Sequence, residues 1–267
     1  MDPTTISLFG FIITLVLICL RVPIGFALAG LAIICTYLFF GYKSGDEFQA
    51  AKALYPTLAL ISSNVFEFLH SYPLSMVPLF IALGHIAYHA KITTDIYFAV
   101  RVWLARVPGG LAMASAIGCT GFSAITGSSL ACASAMGRIC IPEMMRFNYS
   151  PQLATSTVAI GGTLGALIPP SILFIMYGLF TEQSINKLFL AGVIPGLLSL
   201  MGILTVVFVW SKLKPTDAPI ADETYSARER WRATIRAWPA FSLFLIIIGG
   251  IYGGIFTATE AAAVSML

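Results

Sequence analysis

Charge is scarce in this sequence. Only 10% of its 267 residues are Asp, Glu, Lys or Arg, against about 25% in an ordinary soluble domain. With 58% hydrophobic residues and a mean hydropathy of +0.90, that scarcity excludes a soluble globule and puts the chain in a bilayer. Two windows, Val107 to Gly137 and Phe147 to Thr181, contain no charged residue at all. Cysteine is also sparse and lacks CxxC or metal-ligand spacing. Cys19, Cys35, Cys119, Cys132 and Cys140 therefore read as small buried hydrophobes rather than ligands or disulfide partners. A net charge of +3 is too small to point to nucleic acid. The first apolar segment has Asp2 but no basic residue ahead of it, and no small-residue cleavage site, so it reads as a retained span.

What is present is a succession of apolar runs of span length, about 20 residues each. Thr4–Leu20 and Val22–Tyr42 are separated only by Arg21, and Pro23 beside it predicts a tight helical hairpin. Asp46–Glu67 mixes Lys52, Tyr55 and Glu67 with leucines and predicts an interfacial helix plus loop. Phe68–Ala90 predicts one span, starting near Leu74 because of Pro73 and Pro78. Lys91–Arg106 aligns Ile96, Val100 and Leu104 on one face, the pattern of an amphipathic helix in the interface. Leu188–Ser211 and Ala237–Phe256 predict further spans. Between them lies a polar loop, Lys212–Arg236, with six basic and four acidic residues and the tail RERWRATIR. Thr257-Ala258-Thr259-Glu260 predicts the cap of a helix that the chain leaves at Leu267, the expectation for a fragment or half of something larger.

The two charge-free windows are punctuated by helix breakers. Gly109–Gly137 has 18 Gly, Ala or Ser among 29 residues, which permits close backbone approach. As one helix it would run about 44 Å, too long for a core of about 30 Å. A break at Gly127-Ser128-Ser129 turns it into a re-entrant hairpin. Gln152–Phe180 is likewise too long and breaks at Pro169-Pro170. Broken backbone survives at membrane depth only where protein or a water-filled cavity satisfies it, and such breaks mark ion and solute sites in secondary transporters. Hydroxyls at Thr126, Ser128 and Ser129, with the Gly165 and Ala166 carbonyls freed by the prolines, suit a hard monovalent cation such as Na⁺. Half-helix N-termini at the same breaks suit a carboxylate, which makes Ser128, Ser129, Pro170 and Ser171 the substrate candidates. Packing and kinking alone explain a single Gly-Ser-Ser; two breaks in adjacent segments favour a site.

Topology follows from counting. With the N-terminus outside, a re-entrant hairpin and one crossing by the broken segment, 12 of the 15 basic residues fall inside. Lys43, Lys52 and Lys187 fall outside. The positive-inside rule favours that arrangement over a hairpin that crosses fully.

The runs GGLAMASAIGCTGFSAITGSSLACASAMGRICIPEM, GGTLGALIPPSILFIMYGLFTEQSINKLFLAGVIPG and GGIFTATEAAAV resemble the large membrane (M) subunit of tripartite ATP-independent periplasmic (TRAP) transporters. The resemblance covers nearly the whole chain and is densest from Pro78 to Gly196. It implies an all-α integral membrane protein of the elevator type, with this chain holding the first of two inverted repeats, hairpin and broken helix included, and the opening of the second. The implied organisation is scaffold spans and an interfacial helix over 1–90, an arm helix over 91–108 and a transport domain over 109–186. A span with a basic cytoplasmic arm (187–236) and a last span opening the second repeat (237–267) complete it. It further implies Na⁺-coupled uptake of an organic acid, such as a C4-dicarboxylate or sialic acid, delivered by a periplasmic binding protein. A small membrane (Q) subunit would sit alongside it in the bacterial inner membrane. The Na⁺ contacts implied are Thr126, Gly127, Ser128, Ser129, Gly162, Thr163, Gly165 and Pro169, with no catalytic residue, no cofactor and no metal beyond Na⁺. A second hairpin is absent, so transport by these 267 residues alone is not expected.

Other readings are weaker. Glu67, His70, His85 and His89 fall near predicted span ends, which favours interfacial placement over a proton relay. Arg138 and Arg146 flank the hairpin exit, where they could hold it or meet a substrate carboxylate; inside-facing topology determinants are the preferred reading. The RERWRATIR helix could rest on anionic lipid or support a moving domain. An intramembrane serine hydrolase using Ser128 or Ser129 would need a base nearby, and all three histidines lie well upstream. A passive channel or scaffold differs from a carrier by failing to move solute against a gradient.

Overall fold

The computed structural model describes residues 3–42, 48–220 and 224–266, so Lys43, Asp46, Glu47, Asp222 and Glu223 of the loops lie outside the described residues. Every regular element among the described residues is helical. The chain divides into two compact units, Met1–Ser71 and Tyr72–Leu267.

The first unit is three helices, α1 (Pro3–Cys19), α2 (Ile24–Tyr42) and α3 (Ala50–His70), with α2 packed against both others. The tight turn expected at Arg21 is there. Arg21 is left-handed at φ 63°. The Val22 N–H donates to Leu17 O and the Arg21 N–H to Ile18 O, each at 3.0 Å. These are the paired bonds of a Schellman stop, and Pro23 then starts the next helix. α1 and α2 leave Phe9, Phe11, Val16 and Phe26 exposed, apolar on faces that touch no protein, as a lipid-facing helix is. The helix expected within 46–67 is one continuous 21-residue helix, α3, which runs through Pro56. Ala53, Leu54, Leu58 and Ala59 are strong helix formers and carry the helix past Pro56, although the proline removes one backbone donor and crowds the carbonyl of Lys52.

The second unit opens with a 3₁₀ turn (Tyr72–Ser75) and α4 (Met76–His89), then α5 (Ile92–Leu104). Its centre is the pair α6 (Gly110–Thr126) and α7 (Ser129–Arg146), followed by α8 (Pro151–Thr163). α6 is wrapped almost completely. Its buried residues run from Gly110 to Thr126 and include Ala112, Ala114, Ala116 and Gly118, whose small size lets α5, α7, α8 and α10 (Ile185–Leu213) close in around it. α5 turns out to be more than an interfacial helix, since Thr93, Ile96, Tyr97, Ala99 and Val102 are all buried. A buried ion pair, Arg101 with Glu143, joins α5 to α7, and Arg101 also lies 5.0 Å over the Phe147 ring.

After a break, α9 (Ile172–Thr181) leads into the 29-residue α10. α11 (Ala227–Arg236) carries the RERWRATIR run behind a Ser226–Glu229 capping box. An apolar segment, Trp238–Tyr252, follows as α12 (Trp238–Phe244), a π-helical stretch over Leu245–Gly249 and α13 (Gly250–Tyr252). The expected cap at Thr257–Glu260 is a complete capping box opening α14 (Ala258–Val264). Ile24–Tyr42 and Ile185–Leu213 are each long and apolar enough to cross a bilayer.

Candidate functional site

α6 and α7 form a helical hairpin. Cys132 Sγ in α7 reaches Cys119 O in α6 at 3.3 Å, while farther from the tip Ser115 Oγ lies 3.8 Å from Met144 Sδ. Contacts that spread symmetrically about residue 127 require antiparallel halves. The open end of the hairpin is gathered in one place. The Leu111 N–H meets the Tyr149 hydroxyl at 3.4 Å, and the Ser150 N–H donates to Asp217 O at 2.9 Å. A side chain on Gly109 would collide with Ser211. The start of α6, the end of α7, the start of α8 and the end of α10 therefore share one pole of the unit.

The opposite pole holds both breaks, in direct contact. α6 ends on Gly127, left-handed at φ +63°, whose N–H returns to Ser123 O at 2.8 Å. Its own carbonyl accepts from the Ile172 N–H at 3.0 Å. A Cβ at Gly127 would lie 2.5 Å from Pro170 O, so glycine is required there by backbone angle and by space together. On the other break, α8 passes through a 3₁₀ turn (Leu164–Ala166) and a cis Pro169-Pro170 peptide to α9. Gly165 abuts the hairpin tip: a Cβ there would lie 3.0 Å from both Ser129 N and Ser123 Oγ. Gly162 abuts Ala133.

The two breaks are built alike. Ser128 (φ −122°, ψ 117°) caps α7 by accepting from the Ala131 N–H. Ser171 (φ −121°, ψ 125°) caps α9 by accepting from the Phe174 N–H. Each break thus presents an extended serine followed by the positive end of a half-helix. The Ala166 carbonyl, expected to be freed by the prolines, instead accepts from the buried Ser171 hydroxyl at 2.8 Å, a substitute that the proline-only argument overlooked. Thr126 is buried and donates to Phe122 O at 3.2 Å. Thr163 is exposed and donates to Ile160 O of its own helix at 2.6 Å. The structure thus brings Thr126, Gly127, Ser128, Ser129, Gly165, Pro170 and Ser171 into one junction, with Gly162 a turn away.

Two features were not legible beforehand. The Ser123 hydroxyl is fully buried without a hydrogen-bond partner among the described residues. It lies beside the Cys132 thiol, a weak partner at most. The hydroxyl adjoins Gly165 of the second break, while the Ser123 backbone carbonyl accepts from the Gly127 N–H of the first. Second, a cleft of about 600 Å³ opens beside the hairpin tip, where Thr126, Ser128 and Ser134 share the lining with His85, His89 and Arg138. The sequence favours interfacial placement for these histidines, whereas a meeting of Arg138 with a substrate carboxylate is its second reading there. Among the described residues, no His, Cys, Asp or Glu cluster could hold a metal ion.

Apolar helices with exposed apolar faces, wrapped around a core interrupted by two paired helix breaks, define a multi-pass integral membrane protein. Residues 11–267 match the family described as the tripartite ATP-independent periplasmic transporter, DctM component. The chain belongs to that family. It is 37% identical to the C4-dicarboxylate TRAP transporter large permease protein DctM of Pseudomonas aeruginosa, over 77% of this chain and 47% of that protein. It is 32% identical to the sialic acid TRAP transporter large permease protein SiaM of Vibrio cholerae, over 98% of this chain and 56% of that one. To the isethionate TRAP transporter permease protein DctMQ of Oleidesulfovibrio alaskensis the identity is 31%, over 99% and 39%. The chain thus spans about half the length of the curated relatives it matches. These relatives are permeases, so the serine-hydrolase reading falls.

Proposed function

We propose that this chain forms part of the large membrane subunit of a Na⁺-coupled secondary transporter. The transporter imports an organic acid delivered by a periplasmic solute-binding protein and works with a small membrane subunit in the bacterial inner membrane. The observation that carries the proposal is the backbone contact between Gly127 and Ile172. It joins two serine-capped half-helix starts in one carboxylate-free junction, which the buried Ser123 hydroxyl flanks at Gly165. Neutral oxygens suit Na⁺, and half-helix N-termini suit an anionic group. The cation contacts are Thr126, Gly127, Ser128, Ser129, Gly162, Thr163, Gly165 and Pro169, to which Ser123 is added. The organic acid lies against Ser128, Ser129, Pro170 and Ser171 and extends into the cleft that Arg138 borders. The relatives' names specify C4-dicarboxylate, sialic acid, isethionate and ectoine, each of which carries an acid group, and an organic acid is the class they share with the proposal. An elevator-type movement, with the hairpin and broken helix of a first inverted repeat as the moving part and the N-terminus in the periplasm, accords with this reading.

The test is uptake of a labelled organic-acid panel into proteoliposomes containing the intact subunit, its small partner and the cognate binding protein. Uptake that stops without Na⁺ or without the binding protein is expected. Uptake that ignores both and never exceeds equilibrium would instead establish a passive channel.

A further inference from the structure

α11 is a two-faced helix, and each face has a different occupant. One face is clamped to α5. Ala233 and Ala237 are buried, the Trp103 indole N–H donates to Thr234 Oγ1 at 3.0 Å, Arg230 stacks over the Trp103 ring at 5.8 Å, and Arg236 pairs with Asp95 at 3.0 Å. The opposite face carries Trp231 and Ile235, and Trp238 at the start of α12 continues their line (i, i+4, i+7); they are exposed by 64%, 54% and 64%. No water-facing helix gains from such a stripe. The stripe does not stop at the end of α11. It runs on through Phe241 and Leu245, exposed by 61% and 67%, along an apolar segment that leaves α11 at a bend of 44°.

Arginines edge this stripe. Arg228 and Arg232 are exposed and make no ion pair among the described residues, whereas the helix's one carboxylate, Glu229, is engaged by the Ser226 N–H and hydroxyl at 2.7 and 2.8 Å. Arg232 and Arg236 also border a cavity of about 160 Å³ between α5 and α11. A stripe of Trp and Ile beside arginines, continuous with the apolar segment Trp238–Tyr252, is the arrangement of a helix lying in the plane of the interface.

We propose that α11, held rigid on α5, is a docking surface for anionic phospholipid: Trp231, Ile235 and Trp238 enter the acyl boundary while Arg228 and Arg232 bind headgroup phosphates. Charge complementarity and the unbroken apolar surface leading into the bilayer select this occupant over a protein partner. The assignment needs the chain to be in a membrane but is independent of Na⁺ coupling.

The test uses the intact subunit in phosphatidylcholine nanodiscs containing a fixed minor fraction of chain-brominated phosphatidylglycerol or chain-brominated phosphatidylcholine. Subtracting the emission of a Trp231→Phe/Trp238→Phe variant isolates the signal of these two indoles, and no transport is needed. Brominated phosphatidylglycerol is expected to quench that signal several-fold more effectively, since each interfacial arginine enriches anionic lipid by about fivefold. The Arg228→Gln/Arg232→Gln variant should lose the preference while phosphatidylcholine still quenches. Equal quenching by the two lipids in the unaltered protein, or a preference that survives the double substitution, would overturn the proposal. So would the absence of quenching by either lipid, which would place the stripe against protein or water.

Discussion

Gly127 and Ser123 sit within one turn of each other and make opposite demands. Gly127 is needed for shape: a side chain there must adopt left-handed backbone and also meet Pro170 O at 2.5 Å. Gly127→Ala should cost about 1–2 kcal/mol from the backbone alone, with more from the collision, and should lower the melting temperature of the purified subunit. Gly30, whose Cβ direction is open within 4 Å, is the control: Gly30→Ala should be neutral or stabilising by about 0.5–1 kcal/mol. Ser123 is a different case. A buried hydroxyl without a partner is destabilising by about 1–3 kcal/mol, so Ser123→Ala should leave the Na⁺-free melting temperature unchanged or raised. If the hydroxyl serves the cation, the same variant should lose the stabilisation that added Na⁺ confers, read as a melting shift between Na⁺ and choline buffers. An identical Na⁺ shift in Ser123→Ala and the unaltered protein would remove Ser123 from the site. The glycine was visible in the sequence because Gly-Ser-Ser interrupts a charge-free run. The serine was not, since a serine inside a small-residue helix looks like every other packing residue there.

Among elements, what distinguishes α5, α7 and α11 is how they are fastened. The Arg101–Glu143 pair holds α5 to the hairpin, with side-chain exposures of 11% and 23%. Glu143→Gln would leave a largely buried guanidinium facing a neutral partner. Breaking a fully buried pair costs about 3–5 kcal/mol; partial exposure of Glu143 brings the expected loss to about 2 kcal/mol, measurable as a lower melting temperature. α11 begins on a capping box in which the Ser226 N–H and hydroxyl hold the exposed Glu229 carboxyl below its ordinary pKa. A carboxylate whose pKa is lowered by folding contributes stability that is complete above its unfolded value and lost as pH falls through the lowered one. Amides in the first turn of α11 should therefore exchange faster as pH falls across that window, once intrinsic rates are corrected. Glu229→Gln should abolish the dependence, and an unchanged pH profile in that variant would show that the box plays no part. The sequence reading found α5 by its apolar spacing but not its burial. Tyr97 and Val102 are core residues at 3% and 1% exposure because α6 and α11 cover them, and partners from distant stretches leave no periodic mark.

For the molecule as a whole, the hairpin's geometry bears on how the chain crosses the bilayer. The breaks were legible because lipid allows so few reasons for Gly-Ser-Ser or Pro-Pro inside a charge-free run. Their mutual contact, and the approach of His85 and His89 to the same cleft, depend on packing between segments and were not. The pole opposite the breaks supplies a further constraint, because residues 109–111, 149–150 and 211–217 meet there. A hairpin whose two ends meet each other and the end of α10 enters and leaves at one surface, and the basic residues of the 212–236 stretch then share that surface with Arg106 and Arg146. The prediction is one of sidedness. Single cysteines at the exposed positions Ala90, Met145 and Thr216, in a subunit whose native cysteines are replaced, should react with a membrane-impermeant maleimide in inverted vesicles only. A cysteine at exposed Gln183 should react only in right-side-out vesicles. A hairpin that crossed the membrane once would put Met145 and Thr216 on the face opposite Ala90 and bring Gln183 to the face of Ala90. The labelling pattern at these four positions therefore decides between the two topologies, and with them whether both helix breaks are reached from one side of the membrane.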